Sequence, residues 1–105
     1  MRNQWMPVPV KDIACFSKEV LNYIYLFNGE RYTVDINTLD EVEELLDPGQ
    51  FYRANRQYII NIDAVQSVKP VENSKLIIRL KEPNHTFGID MSREKAPVFK
   101  KWMDR

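Results

Sequence analysis

The stretch "LNYIYLFNGERYTVDI", residues 21–36, constrains this chain more than any other. Aromatic and β-branched residues flank Asn28-Gly29, a pair suited to the positive φ angles of a tight turn. A hairpin here commits the chain to antiparallel sheet. More strands are expected on both sides of it. "VPVKDIACF", residues 8–16, alternates loosely and reads as an edge strand followed by a short strand, because Pro7 and Pro9 suit an edge. Tyr58, Ile59, Ile60 and Ile62 read as a core strand. "VQSVKPVENSKLIIRLKEPNHTFGID", residues 65–90, reads as three strands with turns at Glu72–Ser74 and Pro83–His85.

Two segments read as helix. In "NTLDEVEELLDPG", Asn37 or Thr38 can cap, and acids crowd the first turns, where the helix dipole favours them. Leu39, Val42 and Leu46, with Leu45 beside them, form an apolar stripe, and Asp47-Pro48-Gly49 ends the helix. In "APVFKKWMDR", Val98, Phe99 and Trp102 are helically spaced, and Pro97 fits a first turn. Met91–Lys95 is then a loop leading into a C-terminal helix. The expected fold is mainly β, with one central acidic helix and a short helix at the end.

A length of 105 residues and a 44% hydrophobic share suit one domain, residues 1–105, with a working core. No apolar run is long enough to span a membrane, and "MRNQWMPVPV" lacks the apolar stretch of a signal peptide. The single cysteine, Cys15, has no disulfide partner and reads as a core residue, and no Cys/His cluster suggests a metal. A cytoplasmic protein without metal or cofactor is expected. Trp5 and Trp102 read as packing residues near the two ends. Net charge is zero, whereas nucleic-acid-binding domains are often basic. The charge is unevenly distributed, however. Residues 1–48 carry a net of −5 and residues 49–105 a net of +5, and "TLDEVEELLD" alone holds five acids. If that helix faces away from the rest, the remaining surface is basic enough for a polyanion.

The row "FYRANRQYIINIDAV", residues 51–65, places Arg53, Asn55, Arg56 and Gln57 just before the core strand. Arginine offers a rigid fork of donors that matches phosphate or the O6/N7 edge of guanine. Asparagine and glutamine can pair the N6/N7 edge of adenine. On composition alone, a solvated turn before a strand is the favoured reading of the row. Arg53 precedes the others and is placed to hold the loop by hydrogen bonds. Asn61, between isoleucines, is expected to satisfy buried backbone groups.

The order of residues in this row resembles the core signature of the LytTR DNA-binding domain, through Phe51, Arg53, Arg56, Tyr58, Ile60 and Asn61. "IDMSREKAPVFKKW" resembles the family's second signature, through Ser92 and Arg93. "VPVKDIACF" resembles its opening strand and "TLDEVEELL" its helix, so the resemblance covers essentially residues 8–104. The family often has His at Asn55, Ser at Gln57 and Val at Met91. The first two differences bear on base preference, the third on packing.

The resemblance implies an elongated stack of small antiparallel sheets that places loops, rather than a recognition helix, into successive DNA grooves. It implies a sequence-specific output domain of a bacterial two-component response regulator. The expected partner is promoter DNA, commonly as paired half-sites, and a receiver domain would accompany the output domain in a full-length protein. No receiver can be traced in these residues, which suggests a piece of a longer regulator or a stand-alone protein. The implied DNA-contacting residues are Asn55, Arg56 and Gln57 on one loop and Ser92, Arg93 and Lys95 on a second. Lys18 and Asn22 belong to a third, the Ser17–Asn22 turn. Base or phosphate contact by Arg93 competes with a surface ion pair to Glu94 or Asp90.

A different class of function is a small β-rich protein-interaction module that binds a peptide by strand addition. A hydrophobic groove would favour it, and a shared basic face would favour DNA. Catalysis is not expected. The sequence suggests no nucleophile with a nearby base, no paired carboxylates and no glycine-rich phosphate loop, and His85 sits in a Pro-Asn-His turn with nothing to form a dyad.

Overall fold

The computed structural model describes residues 7–86 and 88–104, so Trp5 lies outside the described residues. These form β1 (Ile13–Lys18), β2 (Asn22–Leu26), β3 (Arg31–Thr33), α1 (Leu39–Leu45), β4 (Phe51–Arg53), β5 (Tyr58–Asn61), β6 (Val65–Pro70), β7 (Leu76–Leu80), β8 (Ile89–Met91) and α2 (Ala96–Met103). One sheet has the order β3-β2-β1-β5-β4 and the other β6-β7-β8, and every pairing is antiparallel. The molecule measures 47 × 27 × 27 Å, the elongated form the resemblance implies.

The centre of the five-stranded sheet, β1 and β5, is buried on both faces. On one, Ile13, Phe16, Ile24, Phe51 and Ile59 pack with Leu39 and Val42 of α1. On the other, Cys15, Ala54 and Ile60 meet Leu76, Ile78 and Leu80 of β7, Ile89 and Met91 of β8, and Ala96 and Phe99 of α2. A strand covered on both faces has no reason to alternate polar and apolar residues. That accounts for the loose pattern of "VPVKDIACF" and corrects its reading. The expected edge strand at the prolines does not form, residues 10–12 being a 3-10 turn, while the expected short strand does form as β1, at the centre of its sheet. A register shift between Ile13 and Cys15 marks a bulge, and Ala14 and Cys15 join the same core cluster.

The β2–β3 hairpin forms where expected, but only Gly29 has positive φ, +92°. The Gly29 N–H donates to the Leu26 carbonyl and the Leu26 N–H to the Glu30 carbonyl, each at 2.9 Å. This is a three-residue loop with glycine last. Asn28 instead accepts the Glu30 N–H with its side chain at 2.9 Å. An added Cβ on Gly29 would lie 2.6 Å from Pro83 Cγ. Asn84 donates to the Leu26 carbonyl at 2.8 Å, so the hairpin loop is fastened to the β7–β8 turn.

Thr38 caps α1, its hydroxyl accepting the Glu41 N–H at 3.2 Å. Leu39 and Val42 are buried and Leu46 is half-buried, but Leu45 points to solvent, a departure from the expected stripe. The helix ends at Leu45 and the backbone of Leu46 is already extended. β4 was not anticipated, because three residues with a single buried side chain carry too little pattern. In α2, Phe99 and Trp102 pack with Tyr52, at ring-centroid distances of 5.3 and 4.9 Å. The Trp102 indole N–H donates to the Pro48 carbonyl at 2.8 Å, which pins α2 to the exit of α1.

Candidate nucleic-acid interface

Antiparallel pairing sets Ser17 of β1 opposite Tyr58 of β5. One step further, the Lys18 N–H donates to the Gln57 carbonyl at 2.8 Å. The Glu19–Leu21 turn and the Asn55–Gln57 loop therefore lie side by side at one end of the five-stranded sheet. The second loop is closed by the Ala54 N–H on the Tyr58 carbonyl at 3.0 Å. Within it, the Asn55 side-chain oxygen accepts the N–H groups of Gln57 and Tyr58, at 2.8 and 3.0 Å. The Asn55 amide nitrogen reaches across to the three-stranded sheet and donates to the Asp90 carbonyl at 2.7 Å. Chain from Asp90 leads directly to Ser92 and Arg93, so this bond brings the loop of Ser92, Arg93 and Lys95 beside that of Asn55 to Gln57. The Ser92 carbonyl then accepts the Lys95 and Ala96 N–H groups, both at 3.1 Å, and α2 begins.

Arg53 holds the middle loop from beneath. Its Nε donates to the Asn55 carbonyl at 2.7 Å and Nη2 to the Arg56 carbonyl at 3.0 Å. Its Nη1 meets Asp40 at 2.7 Å and Glu43 at 3.3 Å. Every nitrogen of the fork is engaged, and the Arg53 side chain is 17% exposed. This is the holding role expected for it, with two acids added. Those acids revise the picture of α1 facing away. Asp40 and Glu43, on the helix seated by Leu39 and Val42, line the same open groove as Lys18, Arg56 and Lys95 and meet Arg53 there.

The structure gives two of the expected contact residues internal partners. The side chain of Asn55 is committed to the bonds above. The Asn22 amide donates to the Ile36 carbonyl at 3.0 Å, and its side-chain oxygen is buried. The chain returning after β3 passes close to it, since the Val34 N–H also bonds the Asn22 carbonyl. By contrast Lys18, Arg56, Gln57, Ser92, Arg93 and Lys95 are exposed. Among the described residues none of their side chains forms a hydrogen bond or ion pair, and Arg93 pairs with neither Glu94 nor Asp90. Asn61 is buried as expected, donating to the Ile13 carbonyl at 3.0 Å and accepting the Asp63 N–H at 2.9 Å. Burial pushes the Cys15 thiol up to about 12, helped by Glu19, so it stays a neutral core group.

Sequence reasoning missed the Asn55–Asp90 tie and the part of Asp40 and Glu43. No local signal announces a bond between positions 35 apart. Among the described residues, no cluster of His, Cys, Asp and Glu could hold a metal, and no helix is long and apolar enough to cross a membrane.

The fold and the site together define a class: an elongated antiparallel β-domain that presents unpaired cationic side chains on adjacent loops. Comparison with known proteins makes the class specific. The sequence model of the LytTr DNA-binding domain matches residues 3–104. The chain belongs to that family, a family of DNA-binding domains and not an enzyme family. It is 28% identical over 96 residues to the transcriptional regulatory protein YpdB of Escherichia coli K12, covering 90% of this chain and 38% of that protein. The same figures hold for YpdB of Shigella flexneri. The chain thus spans about two-fifths of the length of these relatives. Its fold is similar to a LytTr DNA-binding domain from a Bacillus cereus protein described as a methyl-accepting/DNA response regulator. The TM-score is 0.80 at 23% identity, over 100% of this chain and 93% of that one.

Proposed function

We propose that this chain is the DNA-reading output domain of a bacterial transcription regulator of the response-regulator type, working in the cytoplasm. In the longer protein a phosphoacceptor receiver domain governs it, and the target is promoter DNA with paired half-sites. The observation that carries this reading is the contrast between arginines. Arg53 is wholly engaged inside the protein, while Arg56 and Arg93 stand unpaired on neighbouring loops. An unpaired guanidinium fork suits guanine O6/N7 or a phosphate.

In this reading Arg56 and Arg93 read bases, and Gln57 and Ser92 lie within reach of the same groove. Lys18 and Lys95 contact phosphates, which fix position without carrying sequence information. Asn55 and Asn22 act as positioning residues. The acids at Asp40 and Glu43 are offset by Arg53 and do not repel the approaching backbone strongly.

The test is selection of preferred duplexes from a random pool at near-physiological salt, followed by affinity measurements over a salt series. Enrichment of a defined site is expected, with a log–log salt slope of about −0.9 per neutralised phosphate. A pool without enrichment, or an affinity indifferent to salt, refutes the proposal.

A further inference from the structure

At the tip of the Glu19–Leu21 turn, Val20 is fully exposed, at 102% of its reference area, and Leu21 beside it is 55% exposed. One exposed valine is ordinary on any surface. Two apolar residues at a turn tip are less so, because turns favour Gly, Asn, Asp and Ser. The turn does not need their side chains, since the Glu19 N–H closes it on the Leu21 carbonyl at 2.8 Å. Its one acid is folded back. Glu19 Oε2 accepts from the Ser17 hydroxyl and from the Tyr25 hydroxyl, each at 3.0 Å. The tip thus presents methyl groups with the exposed Lys18 at its base. The Lys18–Gln57 backbone bond holds this arrangement beside the Arg56 loop.

An isopropyl group gains nothing from a phosphate oxygen. In the major groove, thymine alone presents a methyl group, at C5, and apolar side chains read it by contact. We propose that Val20 is a specificity-determining residue that recognises a thymine methyl next to the bases read from the Arg56 loop. The inference rests on the DNA-binding reading above and adds a chemical class of contact to the arginines.

The experiment uses the 105-residue chain and the duplex it selects from a random pool. Each thymine is replaced in turn by deoxyuridine, which removes only the methyl. At one thymine, or at its mate in a paired half-site, affinity is expected to fall about fourfold, the value of one buried methyl-sized group. Val20→Ser should reduce that loss to under about 1.5-fold, and Val20→Ile should restore it. Neither substitution removes a packed side chain, so folding is not at issue. Selected duplexes indifferent to every uracil replacement would overturn the inference and leave DNA binding standing. So would a Val20→Ser variant as sensitive to the methyl as the parent, which would assign the contact to another side chain. Failure to select any duplex would instead remove the DNA-binding reading, and this inference with it.

Discussion

Replacing Arg53 with lysine separates its two jobs. Lysine keeps a cation beside Asp40 and Glu43 but cannot spread four hydrogen bonds over a planar fork. The carboxylate side chains are 83% and 51% exposed, so their pairing with Arg53 contributes under about 1 kcal/mol. The bonds to the Asn55 and Arg56 carbonyls, at 2.7 and 3.0 Å, come from a charged donor that is mostly shielded. Such bonds contribute about 1.5–3 kcal/mol when buried, and less here because water can reach a loop carbonyl. Arg53→Lys should therefore destabilise the domain by about 1–2 kcal/mol, a fall in Tm of about 4–16 °C. The combined Asp40→Asn and Glu43→Gln variant should cost under about 1 kcal/mol. Urea denaturation with an unchanged slope would measure both. On DNA, Arg53→Lys should weaken the preferred duplex more than random duplexes and leave the salt slope intact, because it loosens a reading loop without removing a phosphate contact. A carboxylate variant less stable than Arg53→Lys would refute the reasoning. So would an Arg53→Ala variant whose salt slope drops by about 1, which would place Arg53 on a phosphate.

Arg56→Ala and Arg93→Ala should each cost about 1–3 kcal/mol on the preferred site and relax different positions of it, as repeated duplex selection would reveal. Lys95→Ala should weaken all duplexes about equally and lower the salt slope by about 1, measured by titration at several salt concentrations. Gly29→Ala should destabilise by more than about 1 kcal/mol in thermal or chemical melting, since it combines a φ of +92° with a close approach to Pro83. Cys15 should resist thiol-specific reagents at pH 8 until denaturant is added, because burial holds the thiol neutral far above that pH.

Much of the fold is legible in the residues, and what is not has physical reasons. The β2–β3 hairpin, both helices and strands β6 to β8 each carry their own local signal: a turn pair, a cap and stripe, or short apolar runs between turns. β1 carries a weaker one, because burial on both faces erases alternation, and the prolines before it suggest an edge strand that does not form. β4 is too short to stand out. At the site, the resemblance and not residue type singles out Arg56 and Arg93, since Arg53 in the same row is wholly engaged within the protein. Residue type does not reveal the internal partners of Asn55 and Asn22, because Asp90 and Ile36 are distant in sequence. Val20 falls within the Ser17–Asn22 turn already in the sequence, but only the structure shows how far its side chain stands out.

The Asn55–Asp90 bond has a consequence for the length of a target site. It joins a loop of one sheet to a strand of the other, just ahead of Arg93. With both sheets also sharing one core, the loops carrying Arg56 and Arg93 are held in a set relation like the jaws of a calliper. Adding one base pair between the two positions moves them apart by about 3.4 Å along the axis. The added pair also turns them by about 35°, given the 10–10.5 bp of a helical turn. In the proposed reading, where both arginines read bases, this tie resists such a change, and spacing becomes part of what the domain recognises alongside the identity of the bases. Without the tie, as in Asn55→Ala, the gap would be set only by packing, and duplexes with one extra base pair would compete more nearly on equal terms.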